Sequence, residues 1–289
     1  MQIDDVLKGA YKRLTFVTDT PQLDAQLLLA KVLEVSTSYF YTWPEKIVSE
    51  AQYASFDALL SRREMGEPVA YLLGYQAFWT LELEVEPCTL IPRADTERLV
   101  EVALSVLEAQ EQGASSERLR ILDLGTGTGA VALALAAERP NAEVLGVDLI
   151  EDAVQLAQRN AAQNRLMNAR FLQSSWFDAL DNTAVFDLIV SNPPYIDPED
   201  EHLSQGDVRF EPKSALVANN HGLADIEHII HRAPRFLTAS GWLMFEHGYD
   251  QANAVQTALC TAGFVAVESF QDLGGNDRVT IGQWPSKKS

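Results

Sequence analysis

An asparagine, two prolines and a tyrosine follow directly after an apolar segment of this chain. The apolar segment is 186–190, and the four residues are Asn192, Pro193, Pro194 and Tyr195. Such a segment is typical of a buried strand in a parallel sheet, and proline ends the strand because it has no N–H to donate. The motif predicts a rigid turn that presents a side-chain amide, a backbone carbonyl and an aromatic ring. Because Asn-Pro is also common in ordinary turns, its chemistry depends on a second motif.

The second motif is a glycine-rich loop at the end of an earlier apolar segment. It alternates three glycines with two threonines: Gly125, Thr126, Gly127, Thr128 and Gly129. Glycines at a strand-to-helix turn allow the backbone to approach a ligand closely. About 20 residues later, Asp148 ends the next predicted strand, where an acidic side chain can bind ribose hydroxyls. The pair of features predicts a cofactor that contains a nucleoside.

Two cofactors fit this glycine loop. Gly125, Gly127 and Ala130 satisfy the dinucleotide spacing, so an NAD oxidoreductase is one hypothesis. Asp123, two residues before Gly125, favours the other, because a carboxylate repels a pyrophosphate but attracts an amino or sulfonium group. That preference indicates S-adenosylmethionine. A phosphate-binding P-loop is excluded, since no lysine follows the glycines.

Composition excludes several functional classes. The chain has 289 residues, of which 41 are acidic and 22 basic, for a net charge of −19. Such a surface disfavours nucleic acid and anionic membranes, because phosphate binding depends on Lys and Arg. The N-terminus lacks a basic and apolar leader, so no signal peptide is expected. Cys88 and Cys260 provide no disulfide framework and no metal-binding spacing, and we expect a cytoplasmic protein without a metal.

Three sequence patterns predict the elements that position these motifs. Residues 1–76 show helical spacing and predict a small helical bundle that recognises a protein. Residues 77–93 predict a β-hairpin linker. From 94 to 289, strands and helices alternate, which predicts an α/β fold with a Rossmann-like, doubly wound and mostly parallel seven-stranded sheet. The last two strands, 265–270 and 278–283, have no helix between them and should pair antiparallel near one edge.

Further motifs accompany the two that carry chemistry. They are Gly-Glu-Pro at 66–68, Pro-Arg-Ala-Asp-Thr-Glu at 92–97, Ser-Asn-Pro-Pro-Tyr-Ile at 191–196, Gly-Asp-Val-Arg-Phe-Glu-Pro at 206–212 and Asn-Asp-Arg-Val at 276–279. Over nearly its whole length the chain resembles the bacterial release factor glutamine methyltransferases. These are class I S-adenosylmethionine-dependent enzymes that methylate the glutamine of the Gly-Gly-Gln motif in peptide chain release factors. Two residues depart from the family pattern: Ala94 replaces a usual proline, and Ser175 replaces an acid that commonly precedes Trp176.

The resemblance implies roles for the domains and for the cofactor site. Residues 1–76 would recognise the release factor, and 94–289 would form the methyltransferase domain. The loop from Gly125 to Gly129 would hold the methionine end of S-adenosylmethionine, Asp148 its ribose and Trp176 its adenine. Asp123 and Asn192 are also expected to contact the cofactor.

The resemblance further implies how the asparagine motif acts. The Asn192 side-chain oxygen and the Pro193 carbonyl would each accept one hydrogen of the substrate amide. Tyr195 would stack on that amide, and Pro194 would complete the substrate surface. Since the asparagine motif is shared with adenine N6-methyltransferases, a DNA or RNA methyltransferase is the alternative hypothesis. An NAD oxidoreductase would leave this motif unexplained, and a non-catalytic module that holds release factors would not require Asn192.

Overall fold

The computed structural model describes residues 1–111, 118–200, 203 and 206–286. The chain divides into two compact units, one made of 1–76 with 201–210 and the other of 77–200 with 211–289. The division differs from the predicted boundaries in that residues 201–210 group with the helical unit. Buried Arg63 accounts for the grouping, because its guanidinium pairs with Asp24 at 2.8 Å and with Asp207 at 3.0 Å.

The first unit is helical, as the spacing predicts. Its described helices are α1 (Ile3–Leu14), α2 (Pro21–Leu33), α3 (Ser38–Thr42), α4 (Glu50–Glu64) and α5 (Val69–Leu73). Pro21 begins α2, where its missing N–H is not needed. Leu14, Leu28 and Phe56 are almost wholly buried and belong to one apolar core. None of the described helices of either unit is long and apolar enough to cross a membrane.

A two-stranded hairpin follows, formed by β1 (Tyr75–Phe78) and β2 (Leu81–Glu84). The predicted linker began at residue 77, two residues after the first strand begins. Trp79 has a φ of 57°, and this left-handed conformation makes the tight turn between the strands. Residues 85–93 form no strand, so the second half of the predicted linker is a loop.

The second unit contains the predicted sheet. Its helices are α6 (Glu97–Glu111), α7 (Ala130–Glu138), α8 (Glu151–Gln163), α9 (Ala224–Arg232) and α10 (Ala252–Ala262). Its strands are β3 (Arg120–Leu124), β4 (Glu143–Asp148), β5 (Ala169–Gln173), β6 (Phe186–Ser191), β7 (Leu237–Glu246), β8 (Val265–Gln271) and β9 (Asp277–Gln283). The strand order β5-β4-β3-β6-β7-β9-β8 confirms a doubly wound sheet. The antiparallel pairing of β8 with β9 at the edge is confirmed too.

The register of β3 with its two neighbours places both sequence motifs at one edge of the sheet. Leu124, the last residue of β3, lies opposite Val147 of β4 and Ser191 of β6. The Ser191 hydroxyl also donates to the Leu124 carbonyl at 2.7 Å. Because all three strands are parallel, the glycine loop, Asp148 and Asn192 begin side by side. The chain order reverses between β3 and β6, and open sheets of this type bind ligands at such a switch point.

One helix and the next strand have different bounds from those predicted. The sequence pattern predicts a helix from about 223 to 237 and a strand from 242 to 246. In the structure the helix ends at Arg232 as α9, and β7 begins at Leu237. Pro234 explains the early end, because it lacks an N–H and clashes with a continuing helix. A 3-10 turn, Ala233–Arg235, takes up the change of direction.

Candidate active site

A cleft opens at the carboxyl edge of the sheet of the second unit. Its empty volume, which includes the open solvent at its mouth, is about 850 Å³. Six residues predicted from the sequence line it together: Gly125, Gly127, Asp148, Trp176, Asn192 and Pro194. The other lining residues are Cys88, Thr89, Leu90, Leu149, Ile150, Ser174, Ser175, Ser214, Ala215 and Asp225.

Asp148 accepts two backbone hydrogen bonds, one from the glycine loop and one from the start of the segment that follows it. Its Oδ2 accepts the N–H of Gly127 and its Oδ1 the N–H of Ile150, each at 2.9 Å. Burial raises the pKa of this carboxyl, although these hydrogen bonds act in the opposite direction. A carboxylate oxygen has a second lone pair. Asp148 can therefore bind two ribose hydroxyls while it holds the glycine loop in place.

Trp176 forms an aromatic wall of the cleft. Its backbone φ of 50° is left-handed, and the Ser174 hydroxyl donates to its carbonyl at 2.9 Å. A Cβ added at Gly125 would lie 3.5 Å from the indole ring, so this ring lies directly against the loop. Trp176 follows β5, whose last residue pairs with Asp148. The ring is thus placed beside the predicted ribose site.

Asp123 does not line the cleft but lies beneath the loop. It is 2% exposed, and its Oδ2 accepts from the Thr126 hydroxyl at 2.7 Å and from the Ala132 N–H at 3.2 Å. Burial raises the pKa of Asp123 to about 7. Its carboxyl therefore holds the loop against the first turn of α7, and it can act on a cofactor only through its charge.

The other three residues of the glycine loop do not line the cleft but pack beneath it. Thr126 and Thr128 are buried, and the Thr128 carbonyl accepts from Asn160 Nδ2 at 2.9 Å. Gly129 has a φ of 84°, and a Cβ there would lie 3.2 Å from Ala157. Gly129 is therefore needed for close packing of α7 on α8, whereas Gly125 and Gly127 face the cleft.

The charges of the residues that line the cleft indicate which cofactor fits. Asp148 and Asp225 are acidic, and none of the described lining residues is lysine or arginine. Burial raises the pKa of Asp225. The Ala132 N–H in the first turn of α7 is bound by Asp123, so this N–H is not free to bind an anion at the helix N-terminus. The lining therefore fits S-adenosylmethionine, which is cationic and has no phosphate, and disfavours NAD.

Asn192 lines the cleft and is held through one end of its amide. Its Nδ2 donates to Thr96 Oγ1 at 3.1 Å. Neither Asn192 Oδ1 nor the Pro193 carbonyl accepts a hydrogen bond from the residues that the structure describes. Pro193 itself is buried and is not among the lining residues, while Pro194 lines the cleft. Two acceptors on adjacent residues thus have no partner among the described residues.

Tyr195 and Glu246 form a buried pair next to this motif. The Tyr195 hydroxyl donates to Glu246 Oε1 at 3.3 Å, and burial raises the pKa of Tyr195. Gln251 Nε2 donates to the Tyr195 carbonyl at 3.0 Å. Glu246, at the end of β7, is 2% exposed, and burial raises its pKa to about 7. Tyr195 is not among the cleft-lining residues.

Two loops that the sequence did not assign to the cofactor site also line the cleft. They contribute Cys88 to Leu90 and Ser214 to Ala215, and buried Glu211 joins the two segments. Glu211 accepts the Ile91 N–H at 3.0 Å and Arg93 Nη2 at 2.6 Å. The sequence feature that could have indicated this contact is the pair of motifs at 92–97 and 206–212, which contain Arg93 and Glu211. Their contact depends on folding and is invisible in the spacing.

Comparisons with known proteins identify relatives of both parts of the chain. A family model described as a methyltransferase domain matches residues 115–277, and one described as the PrmC N-terminal domain matches 5–74. The release factor glutamine methyltransferase of Aliivibrio fischeri is 51% identical over 98% of both chains. The enzyme of that name from Pseudomonas aeruginosa is 54% identical over 92% of this chain and 94% of its own.

A solved structure supports the fold alone. A methyltransferase from Pyrococcus furiosus superposes with a TM-score of 0.52 at 17% identity, covering 78% of this chain and 97% of its own. The family assignment depends instead on the curated relatives, which match about half of the residues across nearly the full length. This chain belongs to the release factor glutamine methyltransferase family.

Proposed function

We propose that this protein transfers a methyl group from S-adenosylmethionine to the N5 amide nitrogen of the glutamine in the Gly-Gly-Gln motif of peptide chain release factors. The observation that carries the proposal is Asn192: it lines a cleft whose charged residues are acidic, and its Oδ1, like the adjacent Pro193 carbonyl, accepts no hydrogen bond from the described residues. The names of relatives that are about half identical support the same substrate.

Residues of the second unit would hold the cofactor. When bound, S-adenosylmethionine supplies a methyl group activated by its positive sulfonium. Gly125 and Gly127 would hold its methionine end, Asp148 its ribose and Trp176 its adenine. The negative charges of Asp148 and Asp225 favour the cation, and buried Asp123 stabilises the loop from beneath.

The asparagine motif would prepare the substrate amide. An amide nitrogen is a poor nucleophile, because its lone pair is delocalised into the carbonyl. Asn192 Oδ1 and the Pro193 carbonyl would each accept one N–H of the glutamine. Holding both hydrogens favours a pyramidal nitrogen and directs its lone pair into the cleft. These acceptors are preorganised dipoles, and fixed orientation can lower a barrier by roughly 7–11 kcal/mol in ideal cases.

The remaining residues of the motif would exclude water. Tyr195 would cover the planar amide, and Pro194 would extend the surface beside it. The chemistry requires no general base, because the methylated nitrogen is acidic enough to lose its proton to water afterwards. We therefore assign catalytic roles to Asn192, Pro193 and Tyr195, and substrate contact to all four residues of the motif.

The partner would be a release factor bound through the helical unit, residues 1–76. The net charge of −19 suits a substrate with a basic face and opposes direct binding of nucleic acid or an anionic membrane. Residues 77–93 would connect the helical unit to the methyltransferase unit. A substrate that acts in translation places the reaction in the cytoplasm.

A DNA or RNA adenine N6-methyltransferase is the second candidate. One observation favours it: the adenine amino group is also an NH2 on an sp2 carbon, and the same two acceptors would hold it. The acidic surface opposes it, because binding a nucleic acid requires phosphate contacts from Lys and Arg.

A labelling experiment separates these candidates. The protein is incubated with methyl-labelled S-adenosylmethionine and a release factor, the same factor with the motif glutamine replaced by alanine, duplex DNA, or RNA. We expect label only in the unaltered release factor. Transfer to either nucleic acid, or equal labelling of the alanine factor, would overturn the proposal.

A further inference from the structure

We infer that Asp225 accepts a hydrogen bond from the exocyclic amino group of the cofactor's adenine, and that it selects adenine over a purine with an oxygen in that place, such as hypoxanthine. The inference rests on the proposed use of S-adenosylmethionine with its adenine beside Trp176. The amino group of adenine is a hydrogen-bond donor, and a buried donor without an acceptor costs binding free energy. A cleft that holds adenine therefore needs an acceptor near this aromatic wall.

Helix α9 places Asp225 beside that wall. Asp225 and Arg232 are seven residues apart, so they lie on one face of α9, about 10 Å from each other. Arg232 pairs with Asp178, and its guanidinium lies over the Phe177 ring, 5.6 Å from the ring centroid. Phe177 and Asp178 directly follow Trp176 in the chain. The face of α9 that carries Asp225 is therefore turned to the segment that begins at Trp176, and both residues line the cleft.

Asp225 is the carboxylate of the cleft that remains available to a ligand. Of the two acidic lining residues, Asp148 already accepts two backbone N–H groups and is assigned to the ribose. The carboxyl of Asp225 makes no hydrogen bond or ion pair with the residues that the structure describes. Asp225 is half-buried, and burial raises its pKa, while His228 favours its ionised form. A ligand N–H would offset the cost of leaving this carboxyl without a partner.

The polar groups next to Trp176 in the chain are already bonded or uncharged. The Ser174 hydroxyl donates to the Trp176 carbonyl at 2.9 Å and accepts the Ala179 N–H at 3.0 Å. The Ser175 carbonyl accepts the backbone N–H of the third residue after it, also at 3.0 Å. The Ser175 hydroxyl is neutral, and a hydrogen bond to an ionised acceptor is roughly twice as strong as one between neutral groups. Asp225 is therefore the strongest acceptor that this part of the cleft offers to adenine.

Calorimetry with three ligands tests the inference in the absence of a release factor. S-adenosylhomocysteine has the adenine amino group, and S-inosylhomocysteine has a carbonyl oxygen in its place. Methylthioadenosine keeps the adenine but lacks the amino acid. The variants are Asp225→Ala and the nearly isosteric Asp225→Asn. Glu227→Gln is the matched control, because Glu227 lies in the same first turn of α9 but is exposed and accepts from Asn220 Nδ2 at 2.9 Å.

We expect Asp225→Ala to raise the Kd for S-adenosylhomocysteine about 10-fold or more, the size of one lost hydrogen bond to a charged group. The Kd for methylthioadenosine should rise by the same factor, because the lost contact is to adenine. The Kd for S-inosylhomocysteine should stay unchanged or fall, because the carboxylate repels the carbonyl oxygen. Asp225→Asn should bind S-inosylhomocysteine more tightly than the wild type does, since its Nδ2 can donate to that oxygen. Glu227→Gln should match the wild type with all three ligands.

The decisive quantity is the ratio of the Kd for S-inosylhomocysteine to that for S-adenosylhomocysteine. An equal ratio in the wild type and Asp225→Ala would overturn the inference. A loss of S-adenosylhomocysteine affinity that spares methylthioadenosine would overturn it too, since Asp225 would then face the amino acid. If Asp225→Ala fails to fold, the ratio in Asp225→Asn decides the question.

The same measurements separate this inference from the proposed function. A wild type that binds S-adenosylhomocysteine and methylates a release factor, beside Asp225 variants with an unchanged ratio, rejects only the adenine contact. A wild type that does not bind S-adenosylhomocysteine rejects the proposed function and the inference together.

Discussion

Two buried carboxyl groups lie behind the two sequence motifs and differ in what they hold. Asp123 lies under the glycine loop and accepts from the Ala132 backbone and the Thr126 hydroxyl. Glu246 lies next to the asparagine motif: its Oε1 accepts from the Tyr195 hydroxyl, and its Oε2 has no hydrogen-bond partner among the described residues. Burial raises the pKa of each to about 7.

The difference indicates that the two sides of the cleft, at one edge of the sheet, have separate functions. Asp123 holds backbone, and a backbone loop shapes a binding surface for the cofactor. Glu246 binds the hydroxyl of Tyr195, a residue of the motif proposed to hold the substrate amide. We therefore expect changes on the glycine-loop side to alter cofactor affinity, and changes on the asparagine side to alter kcat. The predictions below test this separation.

The largest expected effect is on turnover. Asn192→Ala removes the acceptor for one amide hydrogen while leaving Asp148 and the glycine loop intact. We expect kcat to fall about 1,000-fold or more, as for the loss of a preorganised group that acts on the transition state. Calorimetry should show S-adenosylhomocysteine affinity within a few-fold of the wild type. Near-normal turnover in this variant would refute the catalytic role of the motif.

The converse effect is expected at Asp148. Asp148→Ala removes a ribose acceptor and also frees the N–H groups of Gly127 and Ile150. We expect the Kd for S-adenosylhomocysteine to rise about 150-fold or more, the size of two hydrogen bonds to a charged group at about 1.5 kcal/mol each. Turnover at saturating S-adenosylmethionine should change far less than in Asn192→Ala. If kcat falls while the Kd stays unchanged, the two sides of the cleft are not separable.

The smallest effect concerns stability. Burial raises the folded-state pKa of Asp123 to about 7, above its ordinary 3.8, so the folded state binds more protons than the unfolded chain between these values. The free energy of unfolding should therefore decrease as pH rises from about 4 to 7, by at most about 1.4 kcal/mol per pH unit for each such group. Glu246 and Asp148 act in the same direction.

Urea unfolding at pH 5 and pH 7 measures this dependence. Asp123→Asn should show a smaller loss of unfolding free energy between these two pH values than the wild type. Asp178→Asn is a suitable control, because Asp178 is an exposed acid on the same unit. An equal loss in Asp123→Asn and the wild type would mean that Asp123 is ionised at pH 5.

Much of the sheet could be predicted because its strands are apolar and its turns carry distinctive residues. The apolar segment 186–190 predicts β6 to within one residue of its observed end at Ser191, since Pro193 ends the segment sharply. The start of β7 at Leu237 was missed, because residues 238–241 are small or polar and form a strand only beside β6. The grouping of residues 201–210 with the helical unit was missed for a related reason: it depends on an ion pair between Arg63 and Asp207, distant in sequence.

The sequence by itself determined the fold class and the two motifs at the strand ends, because apolar periodicity, glycine and proline act locally on the chain. Only the tertiary structure decided which loop residues face the cleft. It directed Gly125 and Gly127 into the cleft and Thr126, Thr128 and Gly129 away from it, and it brought Cys88 and Asp225 to the cleft from other segments. It also joined Thr96 to Asn192 and Tyr195 to Glu246, which come from separate segments. Such contacts depend on strand register and packing, and no spacing along the chain encodes them.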